Sequence, residues 1–285
     1  MDYIEVTYMY TKNNTKPDVS EIVIALLSEL GFDSFEETDE SVKAYTPADN
    51  FNADAMLELI REHPELITSL DTKRIKDENW NQKWESNFPI AEIADKVVIY
   101  APFHKEIPAF EHRICIMPQM SFGTGHHATT AMMLELMLDI DFDRKRVLDM
   151  GCGTGILAIF AAMQKAAAVT AIDVDKWAFK NAQENCERNN ISNVEILQGS
   201  ANMLKNRFFD IILANINRNV LLANAARLAK CLSKDGILQI SGFYEDDLAD
   251  IEAKMKKNKL VMLKKIKKEK WVAAVFKNML TSKRI

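Results

Sequence analysis

The chain has 285 residues, of which 48% are hydrophobic and 27% charged, a composition typical of globular proteins and a length that fits about two domains. Its first residues lack the basic and apolar segments of a signal peptide, and no apolar run approaches the ~20 residues that span a bilayer, so we expect a cytoplasmic protein without a membrane partner. The four cysteines are scattered without C-x-x-C spacing, which argues against a zinc site or a disulfide framework.

The first 76 residues predict a small α+β domain. The hydrophobic pattern changes between strand and helix periods and gives the order β-α-β-β-α-β over residues 2–10, 18–31, 32–38, 42–46, 51–63 and 66–76. This order is that of a ferredoxin-like domain, a fold that often serves binding rather than chemistry. We therefore expect a ferredoxin-like domain over residues 1–76.

This N-terminal part is strongly acidic. Residues 1–80 hold 18 acidic and 7 basic side chains, a net charge of −11, whereas the rest of the chain carries +6, giving the overall −5. The negative charge fits either a solvated surface or a face that docks a basic partner, and the sequence leaves both open.

Residues 77–92 predict a linker helix. The segment is polar apart from Trp80, Trp84 and Phe88, whose four-residue steps place the aromatic rings on one helical face. We interpret the two tryptophans as packing anchors rather than as residues that stack on a ligand. Short strands at 97–100 and 113–117 then open a second domain over residues 93–285.

The run SFGTGHHATT at residues 121–130 predicts a flexible turn that leads into a helix over 130–138. Either Thr129 or Thr130 caps this helix, or the loop is a lid over a ligand and its hydroxyls donate to a carboxylate. The adjacent His126 and His127 have no carboxylate or cysteine at ligand spacing, so we expect no metal site.

From residue 146 onward strands and helices alternate, which predicts a mostly parallel, doubly wound α/β sheet. The expected strands are 146–150, 169–173, 194–198, 210–214, 236–241, 259–266 and 271–276, and the expected helices are 156–164, 175–189, 220–231 and 246–257.

The run VLDMGCGTGIL at residues 147–157 joins a buried strand to three alternating glycines and then a helix. Glycines lack a Cβ, so the main chain can lie against a ligand while the helix directs free N–H groups at it. A dinucleotide fingerprint reads G-x-G-x-x-G, whereas this run reads G-x-G-x-G, the usual signature of S-adenosylmethionine-dependent methyltransferases. Asp173 ends the next strand with a carboxylate suited to ribose hydroxyls, and Asn215 follows a third strand at the edge where such sheets bind ligands.

Lysines are concentrated near the C-terminal end. Nine of them lie between residues 254 and 270, where they alternate with apolar side chains. This pattern favours a solvated helix end and edge strand over RNA contact, so no direct nucleic-acid readout is expected.

Four segments together resemble the bacterial ribosomal protein L11 methyltransferase family: NWNQKW at 79–84, FGTGHHATT at 122–130, VLDMGCGTGILAI at 147–159 and ANI at 214–216. The resemblance covers nearly the whole chain. It implies a Rossmann-like class I methyltransferase sheet behind an N-terminal domain that recognises the substrate. It also implies S-adenosylmethionine as cofactor and methylation of lysine side chains and the N-terminal α-amine of a large-subunit ribosomal protein.

The resemblance implies cofactor contacts at Thr130, Gly151, Asp173 and Asn215, to which we add Gly153 as a candidate. No catalytic residue is assigned. The expected partner is a basic ribosomal protein, free or on the large subunit, and we expect the enzyme to be a monomer.

Two features depart from the family pattern. The family loop reads GTGTHPTT, so His126 stands for a threonine and Ala128 for a proline, which predicts a looser or differently ordered loop. Many methyltransferases also place an acidic residue after the third strand to meet the adenine amine. Here that turn is Gln198-Gly199-Ser200, so adenine recognition is expected from main chain or from Asn202.

Methyl transfer from a sulfonium mainly requires that an amine lone pair be held in line with the methyl group. We hypothesise that Asn215 orients the amine or the cofactor through its amide carbonyl rather than acting as a base. Methyltransferases of glutamine or nucleic-acid amines commonly show NPPY where this chain has NINR at 215–218, so the missing prolines count against them. A module that binds the cofactor without turnover is the remaining alternative.

Overall fold

The computed structural model describes residues 2–9, 18–38, 41–64, 69–75, 88–119 and 121–279, and its internal contacts divide the chain into two units, Met1–Phe88 and Pro89–Ile285. Most of the predicted linker helix, including Trp80 and Trp84, lies outside the described residues. Two residues assigned to that linker, Ala91 and Glu92, belong to a strand instead.

The first unit has the element order that its sequence predicts: β1 (Tyr3–Met9), α1 (Asp18–Glu29), β2 (Ser34–Glu37), β3 (Ser41–Pro47), α2 (Ala53–Glu62) and β4 (Ser69–Ile75). The strands form an antiparallel sheet in the order β2-β3-β1-β4. Apolar residues of both helices share one core with β1 and β3, among them Val23, Leu27, Met56 and Leu59. Both helices therefore cover the same face of the sheet, as in a ferredoxin-like domain.

The second unit carries the larger sheet. Its strands are β5 (Ala91–Ile93), β6 (Val97–Tyr100), β7 (His112–Cys115), β8 (Arg146–Met150), β9 (Ala168–Asp173), β10 (Val194–Gln198), β11 (Phe209–Asn215), β12 (Leu232–Tyr244), β13 (Leu260–Lys268) and β14 (Trp271–Asn278). Its α-helices are α3 (Ala128–Met137), α4 (Ile156–Met163), α5 (Lys176–Arg188), α6 (Arg218–Cys231) and α7 (Leu248–Lys257). Two short 3₁₀ helices cover Ala201–Leu204 and Glu245–Asp247.

Seven of these strands form one sheet in the order β10-β9-β8-β11-β12-β14-β13. The pairs from β10 to β12 are parallel, and β14 alone runs against the others because it is antiparallel to both β12 and β13. The strand order reverses direction at β8, so the carboxyl ends of β8 and β11 form a topological switch point where ligands bind in such sheets.

Helices cover both faces of this sheet. One core combines α4 and α5 with apolar residues of β8 and β9, and a second combines α6 and α7 with β11, β12 and β14. The doubly wound α/β architecture that the alternating pattern predicts is thereby confirmed. Cys115, Cys152, Cys186 and Cys231 are buried and unbonded to one another. Within the described residues, no helix is both long and apolar enough to cross a membrane.

Several elements differ from the sequence-based expectation, most of them by one to three residues at their ends. The strand β5 is not predicted, and it joins β6 and β7 in a separate three-stranded sheet rather than in the main one. The helix α3 begins at Ala128, two residues before the predicted start. Finally, β12 begins at Leu232 rather than at Gly236, with a register shift that falls between Phe209 and Ile211 of its partner strand.

Candidate active site

The glycine turn joins β8 to α4 at the switch point of the sheet. Gly151 and Gly153 have φ values of 72° and 54°, in the left-handed region that favours glycine. A Cβ at Gly151 would lie 2.4 Å from Cγ2 of Ile216, and one at Gly153 would lie 2.2 Å from the carbonyl oxygen of Phe122. The two glycines are therefore required because other segments of the chain lie directly against the turn. We expected the missing Cβ atoms to leave space for a ligand. At both Cβ positions that space is occupied by other parts of the protein instead.

Asp173 ends β9 beside this turn. Its Oδ2 accepts the N–H of Gly153 at 2.9 Å, and its Oδ1 accepts the N–H of Asp175 at 3.0 Å. Each oxygen of a carboxylate accepts two hydrogen bonds, so one position on each oxygen remains for a ligand. The half-buried side chain therefore suits the predicted role of holding two ribose hydroxyls.

Asp149 is absent from the predicted site although it lies within the glycine motif. The side chain is fully buried, its Oδ2 accepts the N–H of Ala158 at 3.1 Å, and its Oδ1 has no hydrogen-bond partner among the described residues. Burial raises the pKa of Asp149 to about 7. A buried acceptor without a partner is rare in folded proteins and marks a position where a donor from a ligand is expected. The available signal was an acidic residue inside an otherwise apolar strand.

Thr130 and Asn215 are 85 residues apart in the sequence and meet at the carboxyl end of β11. Asn215 Nδ2 donates to Thr130 Oγ1 at 3.3 Å, and Thr130 is fully buried in the first turn of α3. The amide Oδ1 of Asn215 is also buried and has no partner within the described part of the chain. The two residues thus form a hydrogen-bonded pair that leaves one amide oxygen without a partner in the described residues.

The helix α3 is capped by His127. Its Nδ1 accepts the N–H of Thr129 at 3.3 Å and lies 2.8 Å from the hydroxyl of the same residue. The expectation that Thr129 or Thr130 caps the helix is therefore wrong, because the imidazole nitrogen takes the role that a Ser, Thr or Asp oxygen usually has.

The loop before α3 is tied to the glycine turn by Thr154. Its N–H donates to the carbonyl of Phe122 at 2.9 Å, and its buried hydroxyl donates to the carbonyl of Gly123 at 2.6 Å. His126, the first departure from the family pattern, adds contacts to Thr124 Oγ1 at 3.1 Å and to the carbonyl of Pro89 at 3.0 Å. These bonds anchor the loop, so of the two expected alternatives, a looser or a differently ordered loop, they argue against the looser one.

An aromatic wall extends from this loop to the end of β12. The ring centroids of Phe122 and His127 are 5.1 Å apart, those of His127 and Trp271 are 4.9 Å apart, and those of Trp271 and Tyr244 are 4.3 Å apart. Lys270 Nζ lies 4.6 Å from the centroid of Tyr244. No local pattern reveals this wall, because more than a hundred residues separate Phe122 and His127 from Tyr244 and Trp271. Ring faces attract cations, so the wall suits a positively charged group or its aliphatic stem.

The turn after β10 is the predicted location for adenine recognition. Ser200 caps the following 3₁₀ helix by accepting the N–H of Asn202 at 3.3 Å, and Gly199 donates its N–H to the carbonyl of Asp173 at 2.7 Å. Two apolar side chains are exposed in these same segments: Val174 is 67% exposed and Met203 is 40% exposed. Apolar side chains beside a ribose-binding carboxylate suit the faces of a flat purine ring, a role that the sequence reading did not assign to them.

The described ranges contain no group of three His, Cys, Asp or Glu side chains that could hold a metal ion. Both ring nitrogens of His126 and the Nδ1 of His127 are already engaged with protein atoms. The arrangement therefore offers hydrogen-bond acceptors, an aromatic surface and helix N–H groups. These groups can bind and orient reactants without forming a covalent bond to them.

Comparison with known proteins agrees with this geometry. The model of the family described as Ribosomal protein L11 methyltransferase (PrmA) matches residues 13–279. A relative of that name from Phocaeicola vulgatus is 41% identical over 281 residues, covering 97% of this chain and 99% of the relative. Another from Bacteroides fragilis is 38% identical over 284 residues, with 97% and 99% covered.

A solved structure described as a ribosomal protein L11 methylase, from Lactobacillus delbrueckii subsp. bulgaricus, is similar with a TM-score of 0.63 and 26% identity. It covers 66% of this chain and 98% of that chain. The family that the four sequence motifs predict is thus confirmed: this chain belongs to the ribosomal protein L11 methyltransferase family.

Proposed function

We propose that the cleft formed by the glycine turn, Asp173, Thr130 and Asn215 binds S-adenosylmethionine, and that the protein uses it to methylate amines of ribosomal protein L11. Family membership supports the reaction and the substrate. The observation that carries the assignment to this cleft is the buried, unpartnered carbonyl oxygen of Asn215 at the carboxyl end of β11.

The donor and acceptor set of the cleft fits this cofactor. Its ribose carries two vicinal hydroxyls, for which the two oxygens of Asp173 each retain one acceptor position. Its methionine part carries a cationic amine, and the unpartnered Oδ1 of Asp149 lies within the glycine motif. The free N–H groups at the start of α4 suit a carboxylate, because a helix N-terminus attracts anions.

When bound, the cofactor supplies a methyl group that is already activated by a positively charged sulfur. The protein therefore has to position an amine rather than form a covalent intermediate. Asn215 Oδ1 accepts one N–H of the incoming amine and so directs the lone pair, while Thr130 fixes the amide by accepting from its Nδ2. An amide does not titrate near neutrality, so Asn215 acts by orientation and not as a base.

A lysine side chain has an ordinary pKa of ~10.4 and must lose a proton before it reacts. The aromatic wall of Phe122, His127, Trp271 and Tyr244 provides an apolar surface for the lysine stem and removes water from the amine. Desolvation lowers the pKa of an ammonium group, which favours the neutral nucleophile, and the released proton passes to solvent.

The test is transfer of an isotope-labelled methyl group from S-adenosylmethionine to purified L11. We expect labelling by the wild-type protein and a loss of about 100-fold or more in kcat for Asn215→Ala, because a misplaced amine reacts slowly. Asn219→Ala, an exposed position four residues further on, is the matched control and should retain wild-type turnover. Full activity of Asn215→Ala would remove the assigned role, and absence of labelling by the wild-type protein would remove the proposed reaction.

We further propose that the first unit docks the basic substrate through its two helices. Exposed carboxylates on α1 and α2 alternate with exposed apolar side chains, namely Glu21, Glu29, Asp54, Glu58 and Glu62 with Ile22 and Leu57. Ile22 is 44% exposed and Leu57 is 53% exposed, so the face combines negative charge with apolar contact area. This composition suits a basic protein and disfavours nucleic acid.

Docking through this face makes substrate affinity depend on salt, because exposed charges are screened within ~10 Å at 0.1 M ionic strength. We expect Glu58→Gln/Glu62→Gln to weaken L11 binding at low salt and to flatten its salt dependence, with cofactor affinity unchanged. Fluorescence anisotropy of labelled L11, titrated at several salt concentrations, measures the affinity for L11 and its salt dependence. Salt-independent binding by the wild-type protein would leave the acidic face with a solubilising role only.

A further inference from the structure

A cavity of about 400 Å³ lies on the α6 face of the second unit, away from the glycine turn. It is bounded by the 3₁₀ helix Ala201–Leu204, by the segment that leads into β11, and by the last turns of α6. The side chains that give it a chemical character are Lys205, Arg207, Phe208, Arg227 and Lys230.

The lining of this cavity has four cationic side chains and no carboxylate. Arg207 is paired with Glu195, at 2.5 Å from Nη1 and 3.2 Å from Nη2. Lys205, Arg227 and Lys230 are exposed and form no ion pair with any described residue. Three uncompensated positive charges around one concave site attract an anion.

Phe208 adds an aromatic ring to this positive site. Its side chain is 56% exposed, although the next residue, Phe209, is 4% exposed and packs into the core. A cation at the carboxyl end of a helix stabilises the helix dipole, which is a sufficient reason for Lys230. The helix dipole does not explain why an exposed phenylalanine stands beside these cations. Stacking of a nucleobase on the ring of Phe208 does explain it.

Positive charge continues from the cavity along the same edge of the sheet. The helix α6 runs from the carboxyl end of β11 to β12, and α7 runs from the carboxyl end of β12 to β13, so both helices end at the amino edge of these parallel strands. The two helices pack against each other, and α7 ends in Lys254, Lys256 and Lys257, none of which pairs with a described carboxylate. Successive phosphates of a nucleic-acid strand can contact such a row of lysines.

We propose that this cavity binds a nucleotide unit of single-stranded RNA. Lys205, Arg227 and Lys230 contact its phosphate, and Phe208 stacks on its base. The lysines at the end of α7 contact neighbouring phosphates, although their sequence pattern taken alone favours a solvated helix end; the cavity on the same edge of the sheet is what changes that interpretation. The contacts use charge and a ring face rather than base edges, so they carry no sequence readout. The site lies toward the amino edge of the sheet, whereas the proposed cofactor cleft lies at the carboxyl ends of β8, β9 and β11.

The test is fluorescence anisotropy of a labelled 20-nucleotide single-stranded RNA with the full chain over a range of salt concentrations. Arg227→Gln/Lys230→Gln should weaken binding and reduce the slope of log K against log salt by up to about 0.7, since both side chains contact one phosphate and each phosphate neutralised on a single strand contributes about 0.7. Lys105→Gln/Lys180→Gln removes the same charge from two exposed lysines outside the cavity and is the matched control.

Phe208→Ala should weaken RNA binding by roughly 5- to 150-fold, the range for loss of one stacked base, and leave the salt slope unchanged. Asn202 also lines the cavity and is the predicted adenine contact, so each variant is titrated with S-adenosylmethionine, whose affinity should stay at the wild-type value. If a variant loses affinity for S-adenosylmethionine as well as for RNA, the cavity belongs to the cofactor cleft. The RNA site is then overturned, while the proposed methyl transfer stands.

Competition with AMP separates two sources of the same chemistry. Weak competition supports a polymer that also uses the α7 lysines. Competition at concentrations equal to those of RNA nucleotides overturns the RNA proposal in favour of a free nucleotide in the same cavity. No RNA binding at 50 mM salt, or equal loss in both double variants, overturns the proposal. Binding to vesicles with anionic headgroups in preference to RNA overturns it as well.

Discussion

The buried carboxyl group of Asp149 makes the stability of the ligand-free protein depend on pH. Its ordinary pKa is 3.8, and burial raises it to about 7 in the folded chain. Between these values the folded state holds a proton that the unfolded state has released. The free energy of unfolding therefore falls as pH rises from about 4 to 7 and is constant above that range as far as this group is concerned.

The size of the effect follows from the shift. Each pKa unit corresponds to 1.36 kcal/mol, so a change from 3.8 to about 7 amounts to roughly 4 kcal/mol across the whole range. Asp149→Asn keeps the shape of the side chain and an acceptor for the N–H of Ala158, but it cannot ionise. The variant should therefore gain stability relative to the wild type by about 1.4 kcal/mol for each pH unit between 5 and 7.

Urea denaturation at pH 5, 6, 7 and 8, followed by tryptophan fluorescence, measures this difference. Asp246→Asn removes an exposed carboxylate of the same unit and should give a profile parallel to that of the wild type. The difference between Asp149→Asn and the wild type should widen up to pH 7 and then stay level. A constant difference at all four pH values would show that Asp149 is already ionised in the folded state.

Three further variants test the cleft. Asp173→Ala should lower the affinity for S-adenosylmethionine by about 100-fold in calorimetry, because two hydrogen bonds to a charged group are lost; unchanged affinity would place the ribose elsewhere. Gly153→Ala, with its Cβ against a carbonyl oxygen, should destabilise the protein by about 1–3 kcal/mol more than Gly31→Ala, which has a φ of 86° but nothing within 4 Å; equal urea midpoints would contradict that packing. Phe122→Leu should raise the KM for L11 roughly 2- to 30-fold and leave cofactor affinity unchanged in steady-state assays; an unchanged KM would exclude this ring from the substrate site.

Local sequence patterns were sufficient for the order of the elements apart from β5, and for expecting several candidate site residues at one edge of the sheet. The glycine turn, Asp173 and Asn215 each follow a short apolar strand, and strand ends are visible as a change in hydrophobic period. Parallel pairing then places these ends at one edge of the sheet, which is why residues distant in the chain could be assigned to one site.

Other features depend on tertiary contacts that no local pattern reveals. His127 caps α3 although histidine is not among the usual N-cap residues, and Trp271 reaches it from the far end of the chain. The missing partner of Asp149 Oδ1 is a property of the packed site rather than of the motif. The strand β12 begins four residues before its predicted start, because Leu232 pairs with Phe209 at one end of β11 and the ladder resumes only at Ile237.

Calorimetric titration of purified protein with S-adenosylmethionine, and separately with the nicotinamide dinucleotide NAD, distinguishes the two cofactors that a strand followed by a glycine-rich turn can serve. One S-adenosylmethionine per chain should bind with a measurable heat and with an affinity about 100-fold lower in Asp173→Ala, and NAD should give no heat of binding. Binding of NAD together with indifference to S-adenosylmethionine would contradict the assignment of the cleft.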